Sequence, residues 1–330
     1  MSNLSLFHRR KILQAGAALP LLAAGVARAQ GAYPSRPIRV VVPFAPGGAL
    51  DTVARTVEPV ASRRLGQPLL IDNRPGAFNM LGTEIVAKAE ADGQTLLFAA
   101  APQAFNTALG LKMRYDVMRD FEYVSLVARI PALFIVHPSL PVNNLKELVE
   151  YARKQSGGIQ YSTAGVGSMP HLLGEYFFRR AGVKAQHIGY KGSAPALQDL
   201  VGGQVKIMID AYVPSGPQIL AGRARGIAVA SARRSPVLPD VPTVAEGGYP
   251  GFEGYGFYGV VAPAGTPKPI VDKLNQAFVA ATSDRAVRAS LVAGGYEVIG
   301  STPAEYRAFV QKQIAQWMPV VKEAQIEVQQ

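Results

Sequence analysis

The sequence predicts an α/β protein of two lobes, each a parallel sheet covered by helices. Three observations predict it. Short apolar runs alternate with helical patterns over most of the chain. The order strand, helix, strand, helix, strand over residues 36–100 requires a parallel sheet with both faces covered. A length of 330 residues suits two domains better than one.

Residues 36–42 (Arg-Pro-Ile-Arg-Val-Val-Val) read as the first strand and run into the loop Pro43-Phe44-Ala45-Pro46-Gly47-Gly48. Leu50, Val53, Ala54, Val57, Val60, Ala61 and Leu65 then recur at helical spacing until Gly66 stops them, with Pro59 expected to kink the helix. Residues 69–71 are a second strand, a helix runs to about Glu90, and Asp92-Gly93 turns the chain into a strand at 95–100. A long apolar run follows at 124–136, interrupted at Pro131. Asn143 or Asn144 caps a helix over 145–155, ended by Gly157. Residues 159–163 are a strand, 164–168 a glycine loop, and Leu172, Leu173, Tyr176 and Phe177 mark one face of the next helix. Further strands are expected at 186–189, 205–210, 226–230 and 255–262, with a proline- and glycine-rich loop at 235–251. Helices near 268–283, 286–293 and 303–328 close the chain, and Trp317 marks the packing face of the last one. Extended crossings near 129–135 and 254–261 divide the chain into residues 30–130 plus 255–330 as one lobe and 131–254 as the other.

Hydrophobic residues at 48% and charged residues at 17% exclude a disordered chain. The absence of cysteine excludes disulfides, zinc–thiolate sites, a cysteine nucleophile and a lipid anchor on cysteine. The formal charge is +11; residues 1–29 hold four of those cations and no acid, which leaves +7. The positives are scattered, with no basic run and no aromatic interleaving, so nucleic acid is not an expected partner. A basic surface helps to attract an anion.

His8-Arg9-Arg10-Lys11 followed by about 15 mostly apolar residues and Ala27-Arg28-Ala29 reads as a cleaved export leader, residues 1–29. Arg9-Arg10 before Ile12-Leu13-Gln14 fits a twin-arginine signal, and ordinary secretion leaders also carry such pairs, so the route stays open. The mature chain is expected in the periplasm.

Ligands of open α/β sheets bind beyond the carboxyl ends of the strands. Two glycine loops stand there, one per lobe. Gly47 and Gly48 open a helix, and Ser162, Thr163, Ala164, Gly165, Val166, Gly167 and Ser168 open another. Helix starts expose backbone N–H groups and favour anions, and glycine lets a ligand approach closely. Either loop alone is equally well a tight strand-to-helix turn. The second is no dinucleotide fingerprint, because Pro170 takes the last glycine position, and neither is a P-loop. His171, one turn into the second helix, either meets a carboxylate or is a surface or capping residue. Asp210, ending an apolar strand, either receives a ligand amine or hydroxyl or caps a loop. The segment Tyr190-Lys191-Gly192-Ser193-Ala194-Pro195 offers a further helix start.

Enzymatic readings fare worse. The four histidines show no metal-binding spacing, and no G-x-S-x-G elbow is present, so no metal, cofactor or catalytic residue is expected. Ser168 beside His171 is no catalytic pair by spacing alone. A secreted α/β hydrolase is the alternative, and a structural envelope protein a third reading.

Over residues 33–325 the chain resembles the Bug-type extracytoplasmic solute receptors, the substrate-binding proteins of tripartite tricarboxylate transporters. The resemblance rests on Tyr33-Pro34 with Arg36-Pro37-Ile38; Val42-Pro43-Phe44 with Pro46-Gly47-Gly48 and Asp51; Asn73-Arg74-Pro75-Gly76-Ala77; Ala164-Gly165-Val166-Gly167-Ser168; Tyr190-Lys191-Gly192-Ser193-Ala194-Pro195-Ala196-Leu197; Leu238-Pro239-Asp240-Val241-Pro242-Thr243; and Ala262-Pro263-Ala264-Gly265-Thr266-Pro267. It implies a two-lobe type II periplasmic-binding-protein fold and a small carboxylate ligand in the cleft, bound by a monomer that serves a membrane permease or a sensor. The ligand-facing residues it implies, together with the loop readings above, are Phe44, Gly47, Gly48, Asp51, Ala100, Gln103, Ser162, Gly165, Gly167, Ser168, His171, Tyr190, Lys191, Ala194 and Asp210. Phe78-Asn79, Gly189 and Ala211-Tyr212 depart from the family pattern, which bears on the ligand's identity and not on the fold.

Overall fold

The computed structural model describes residues 33–76 and 79–326; the expected leader at 1–29 and Phe78 lie outside the described residues. Strand β1 (Ile38–Val42) lies between β2 (Leu69–Asn73) and β3 (Thr95–Ala100), parallel to both. Val40 and Val42 point to one face, onto Val53 and Val57 of helix α1 (Ala49–Leu65) and Leu274 and Phe278 of α8 (Lys268–Ser283). Val41 points to the other face, into the core that holds Leu97, Phe105 and Phe257. Burial on both faces is why these strands read as continuous apolar runs rather than alternating ones. Helix α1 runs unbroken through Pro59, which is exposed, so the carbonyl that proline leaves unpaired faces water. Helices α2 (Met80–Ala87) and α3 (Pro102–Ala108) complete this part of the fold.

The long strand β4 (Phe121–Val136) links the halves. Residues 121–131 pair antiparallel with β9 (Tyr255–Pro263), which also pairs with β3. From Ala132 onward β4 lies between β7 (Ile207–Ala211) and β8 (Arg225–Val229). The second half adds α4 (Leu145–Arg153), β5 (Ile159–Thr163), α5 (Met169–Arg180), β6 (Ala185–Gly189), α6 (Ser193–Val201) and α7 (Tyr212–Leu220). The main strand path is β2-β1-β3-β9-β4-β7-β5-β6. The expected interruption at Pro131 is corrected: the strand continues through it. Pro131 falls in the gap between the pairing of β4 with β10 (Glu297–Val298), which ends at Arg129, and its pairing with β7, which begins at Ala132. A residue without an N–H costs least where one edge of the strand has no partner.

Helix α9 (Arg285–Ala293) precedes β10, and α10 (Pro303–Ala324) closes the described chain. Trp317 is fully buried, edge-on to Phe105 of α3 at 6.2 Å and to Tyr176 of α5 at 6.0 Å. The last helix therefore packs on both halves. Among the described residues, no helix is long and apolar enough to cross a membrane.

Candidate ligand cleft

The register brings the carboxyl ends of the parallel strands to one place. Ala100, ending β3, pairs with Tyr258, which pairs with Ala128 of β4. Asp210 and Ala211, ending β7, pair with Leu133 and Ala132 of the same strand. Ala128 and Ala132 are four positions apart, about 13 Å along a strand. A second link joins the helix starts. The Tyr296 hydroxyl lies 3.5 Å from the Ala49 carbonyl at the head of α1. A Cβ on the preceding residue, Gly295, would come within 2.6 Å of the Tyr212 ring at the head of α7. Tyr212 packs against the cores of both halves.

In the first half, Gly47 has φ 81 and Gly48 is the N-cap of α1. The Gly47 N–H donates to Asp51 Oδ2 at 2.9 Å. Arg55 Nε donates to the same oxygen at 2.9 Å, and Asn73 Nδ2 donates to Asp51 Oδ1 (2.9 Å) and to the Phe44 carbonyl (3.0 Å). Burial alone would raise the Asp51 carboxyl; hydrogen bonds from Arg55, Gly47 and Asn73 hold it below the usual range. The carboxylate is thus fully engaged in shaping the loop. The N–H groups of Gly48, Ala49 and Leu50 have no acceptor among the described residues, as helix starts leave them.

In the second half, Gly167 has φ 75 and Ser168 is the N-cap of α5. The Gly167 N–H donates to His171 Nδ1 at 3.1 Å. The Ser168 hydroxyl accepts from the His171 N–H and donates to the Gly165 carbonyl at 2.7 Å. The Gly165 N–H donates to Thr163 Oγ1, which lies 2.7 Å from His187 Nε2. The His171 and His187 rings stack at 3.7 Å. Burial, with His187 alongside, pushes His171 down to about 3, and burial pushes His187 down to about 4, so both are neutral at pH 7. His171 is buried, and its Nδ1 is an acceptor inside the loop.

The β6 end is braced onto this loop. The Tyr190 and Gly192 N–H groups donate to the Thr163 and Ala164 carbonyls. The Tyr190 hydroxyl donates to Asp199 at 2.6 Å, away from the loop, and Ser162 is fully buried with its hydroxyl on the Ile207 carbonyl. Lys191 and Ala194 are exposed. Asp210 accepts from Ser193 at 3.0 Å and Ser215 at 3.1 Å, which joins the starts of α6 and α7. Burial raises its carboxyl to about 6 against the Ala211, Ser193 and Ser215 hydrogen bonds. Gln103, on α3, has a buried side-chain nitrogen without a partner among the described residues. Sequence reasoning missed Arg55, His187 and Ser215. Asn73 had one legible signal, since it ends the strand beside β1. Arg129, Arg233, Arg234 and Arg288, together with Gly295 and Tyr296, line a crevice of about 590 Å³.

The family model described as tripartite tricarboxylate transporter family receptor matches residues 53–326. The chain belongs to this receptor family. BugT of Bordetella pertussis is 37% identical to the receptor over 293 residues, which is 88% of this chain and 90% of BugT. MatC from Rhodopseudomonas palustris, solved with bound malate, is 36% identical with a TM-score of 0.74, covering 88% of this chain and all of MatC. A second R. palustris protein, solved with adipate, is 38% identical with a TM-score of 0.77 and covers 89% of this chain and 99% of that one. The receptor thus has the two-lobe fold of these solute-binding proteins.

Proposed function

We propose that the receptor closes two lobes, residues 30–130 plus 255–330 and residues 131–254, around a small carboxylate. The hinge is the pair of crossings at Pro131–Ala132 and Gly254, where partner exchange lets the chain bend without breaking either sheet. One observation carries the reading: strand-end loops from both halves, opening α1, α5, α6 and α7, converge where β4 changes partners. In the first loop the free N–H groups of Gly48, Ala49 and Leu50 are ready for an anion. In the second, the Gly165 and Gly167 N–H groups are held inside the loop, and those of Val166 and Met169 have no acceptor among the described residues. The malate and adipate of the two R. palustris relatives support a dicarboxylate class.

The receptor acts in the periplasm as a monomer without cofactor, metal or catalytic step, and hands its ligand to a membrane permease or a sensor. The hydrogen bond between His137 and Ser139 supports a non-catalytic reading: it joins neighbours on an exposed turn, and Lys206 occupies the same hydroxyl.

The test is a thermal-shift panel of dicarboxylates, tricarboxylates, acidic amino acids and aromatic acids, using refolded protein freed of carried ligand. A true ligand at one hundred times its Kd stabilises the fold by about 2.7 kcal/mol. Gly48→Val is the site control. Gly48 has an ordinary φ of −74, and a Cβ there meets only the Ala45 carbonyl at 3.5 Å, so the variant should fold and bind more than tenfold more weakly. A flat panel with folded protein, or unchanged affinity in Gly48→Val, refutes the proposal.

A further inference from the structure

The two loops are braced at matching positions by opposite chemistry. In each, the residue before the helix N-cap donates its N–H to the side chain at the third helical position: Gly47 to Asp51, and Gly167 to His171. Two other helices, α4 and α10, carry glutamate at that third position, and a turn uses one in the same way. Glu305 closes a capping box with Thr302 on α10, Glu147 does comparable work on α4, and Glu246 accepts from the Thr243 N–H.

A carboxylate in this position is an ion beside the N–H groups that would meet the ligand. At the first loop its charge is balanced four residues on by Arg55. At the second loop the residue four positions on is an acid, Glu175, whose Oε1 lies 3.9 Å from His171 Nε2. The groups facing His171 are His187 of β6, Glu175 of α5 and, through its hydrogen bond to Glu175, Tyr161 of β5. Arg179 reaches only the far oxygen of Glu175, at 3.7 Å. Among the described residues, no cation stands beside position 171 as Arg55 stands beside Asp51. A carboxylate at position 171 would therefore be uncompensated.

We infer that both loop braces are neutral by construction, Asp51 through Arg55 and His171 through being an uncharged acceptor, and that this neutrality is what allows an anion between them. His171 is a positioning residue: it holds Gly167 in place without setting a negative charge against the ligand. His187, stacked on it, holds Thr163. The inference rests on the carboxylate reading above.

The experiment compares His171→Gln with His171→Glu, isosteric side chains that each keep an acceptor oxygen and differ in charge and in the amide NH₂ of glutamine, with the most strongly stabilising dicarboxylate of the panel as probe. Calorimetry at low and high salt gives the affinities, and ligand-free melting and near-ultraviolet circular dichroism report the fold. His171→Glu should bind at least tenfold more weakly than His171→Gln, and the gap should narrow as salt screens the charge. Arg55→Gln, which leaves Asp51 uncompensated on the exposed side of α1, should weaken binding several-fold with the same salt dependence, and it reads the inference independently if His171→Glu fails to fold. In the wild type, nitrogen NMR should show His171 with a bare Nδ1 and a protonated Nε2 between about pH 5 and about pH 8, with or without ligand. Equal affinity in two folded position-171 variants, salt-independent losses, or a protonated Nδ1 in the complex overturns the inference. Failure of the wild type to bind any carboxylate overturns the functional reading instead.

Discussion

The first-lobe loop is held by an ion and the second by neutral rings. Asp51 gathers Gly47, Arg55 and Asn73 around one buried carboxylate. His171 and His187 hold Gly167 and Thr163 through stacked imidazoles, with Ser168 closing the turn. The contrast shows that one backbone device, a glycine N–H fixed by the third helical residue, can be kept by either chemistry. The two chemistries respond differently to acid, and that makes the comparison measurable.

The largest expected effect is on the second loop. His171 and His187 fall to about 3 and about 4 in the folded protein, below an ordinary value of about 6.5. Folding favours their neutral forms, so the stability they contribute is complete above about pH 6.5 and is lost as pH falls toward their folded values. Urea unfolding between about pH 7 and about pH 4 should show a loss of several kcal/mol, flattened in His187→Asn. The Asp51 brace has the other window. Its carboxyl is lowered, so its contribution persists down to the ordinary carboxylate range near pH 4 and is lost only below it. A profile that is flat down to about pH 4 in Asp210→Asn, which lacks the opposing contribution of that acid, breaks the comparison.

Asp210 provides the next effect, with opposite sign. Its folded value is raised to about 6, so the stability linked to it is present below about pH 4 and lost as pH rises through about 6. Asp210→Asn should be more stable than wild type at pH 7.5 by roughly 3 kcal/mol and equal to it near pH 4. No pH dependence in the difference would mean that Ser193 and Ser215 compensate the buried charge fully.

The smallest effect is at the first loop. Asp51→Ala should cost about 2 kcal/mol in chemical denaturation, since it strands the Gly47 N–H and Asn73 while half-exposed Arg55 is freed to water. The loss should be constant from about pH 5 to about pH 8, unlike that of the histidine pair.

Much of the architecture was legible. Strands at 38–42, 95–100 and 255–263 appear where apolar runs were read, because strands buried on both faces must be largely apolar. Helix α7 was not legible: Pro214 and Pro217 fall inside it, and its first turn is held by Tyr212 packing between Gly216 and Gly295 and by the Ser215 hydrogen bond to Asp210. Strand β10 is two residues long and exists because Arg129 and Ala128 offer an edge. The passage of β4 through Pro131 depends on partners far away in sequence.

At the site, the glycines and the helix starts were visible because a φ near +80° at Gly47 or Gly167 and an N-cap at Ser168 are local requirements. The direction in which polar side chains point was not visible. Asp51, Ser162, Tyr190 and His171 read as ligand-facing and spend their polar atoms on Gly47, Ile207, Asp199 and Gly167. The sequence by itself determined the two α/β halves, the loops at their strand ends and the family. Tertiary structure alone decided the braces that come from other strands, because Asn73 and His187 reach the loops only once β2 lies beside β1 and β6 beside β5, and a hydrogen bond depends on distance in space rather than along the chain.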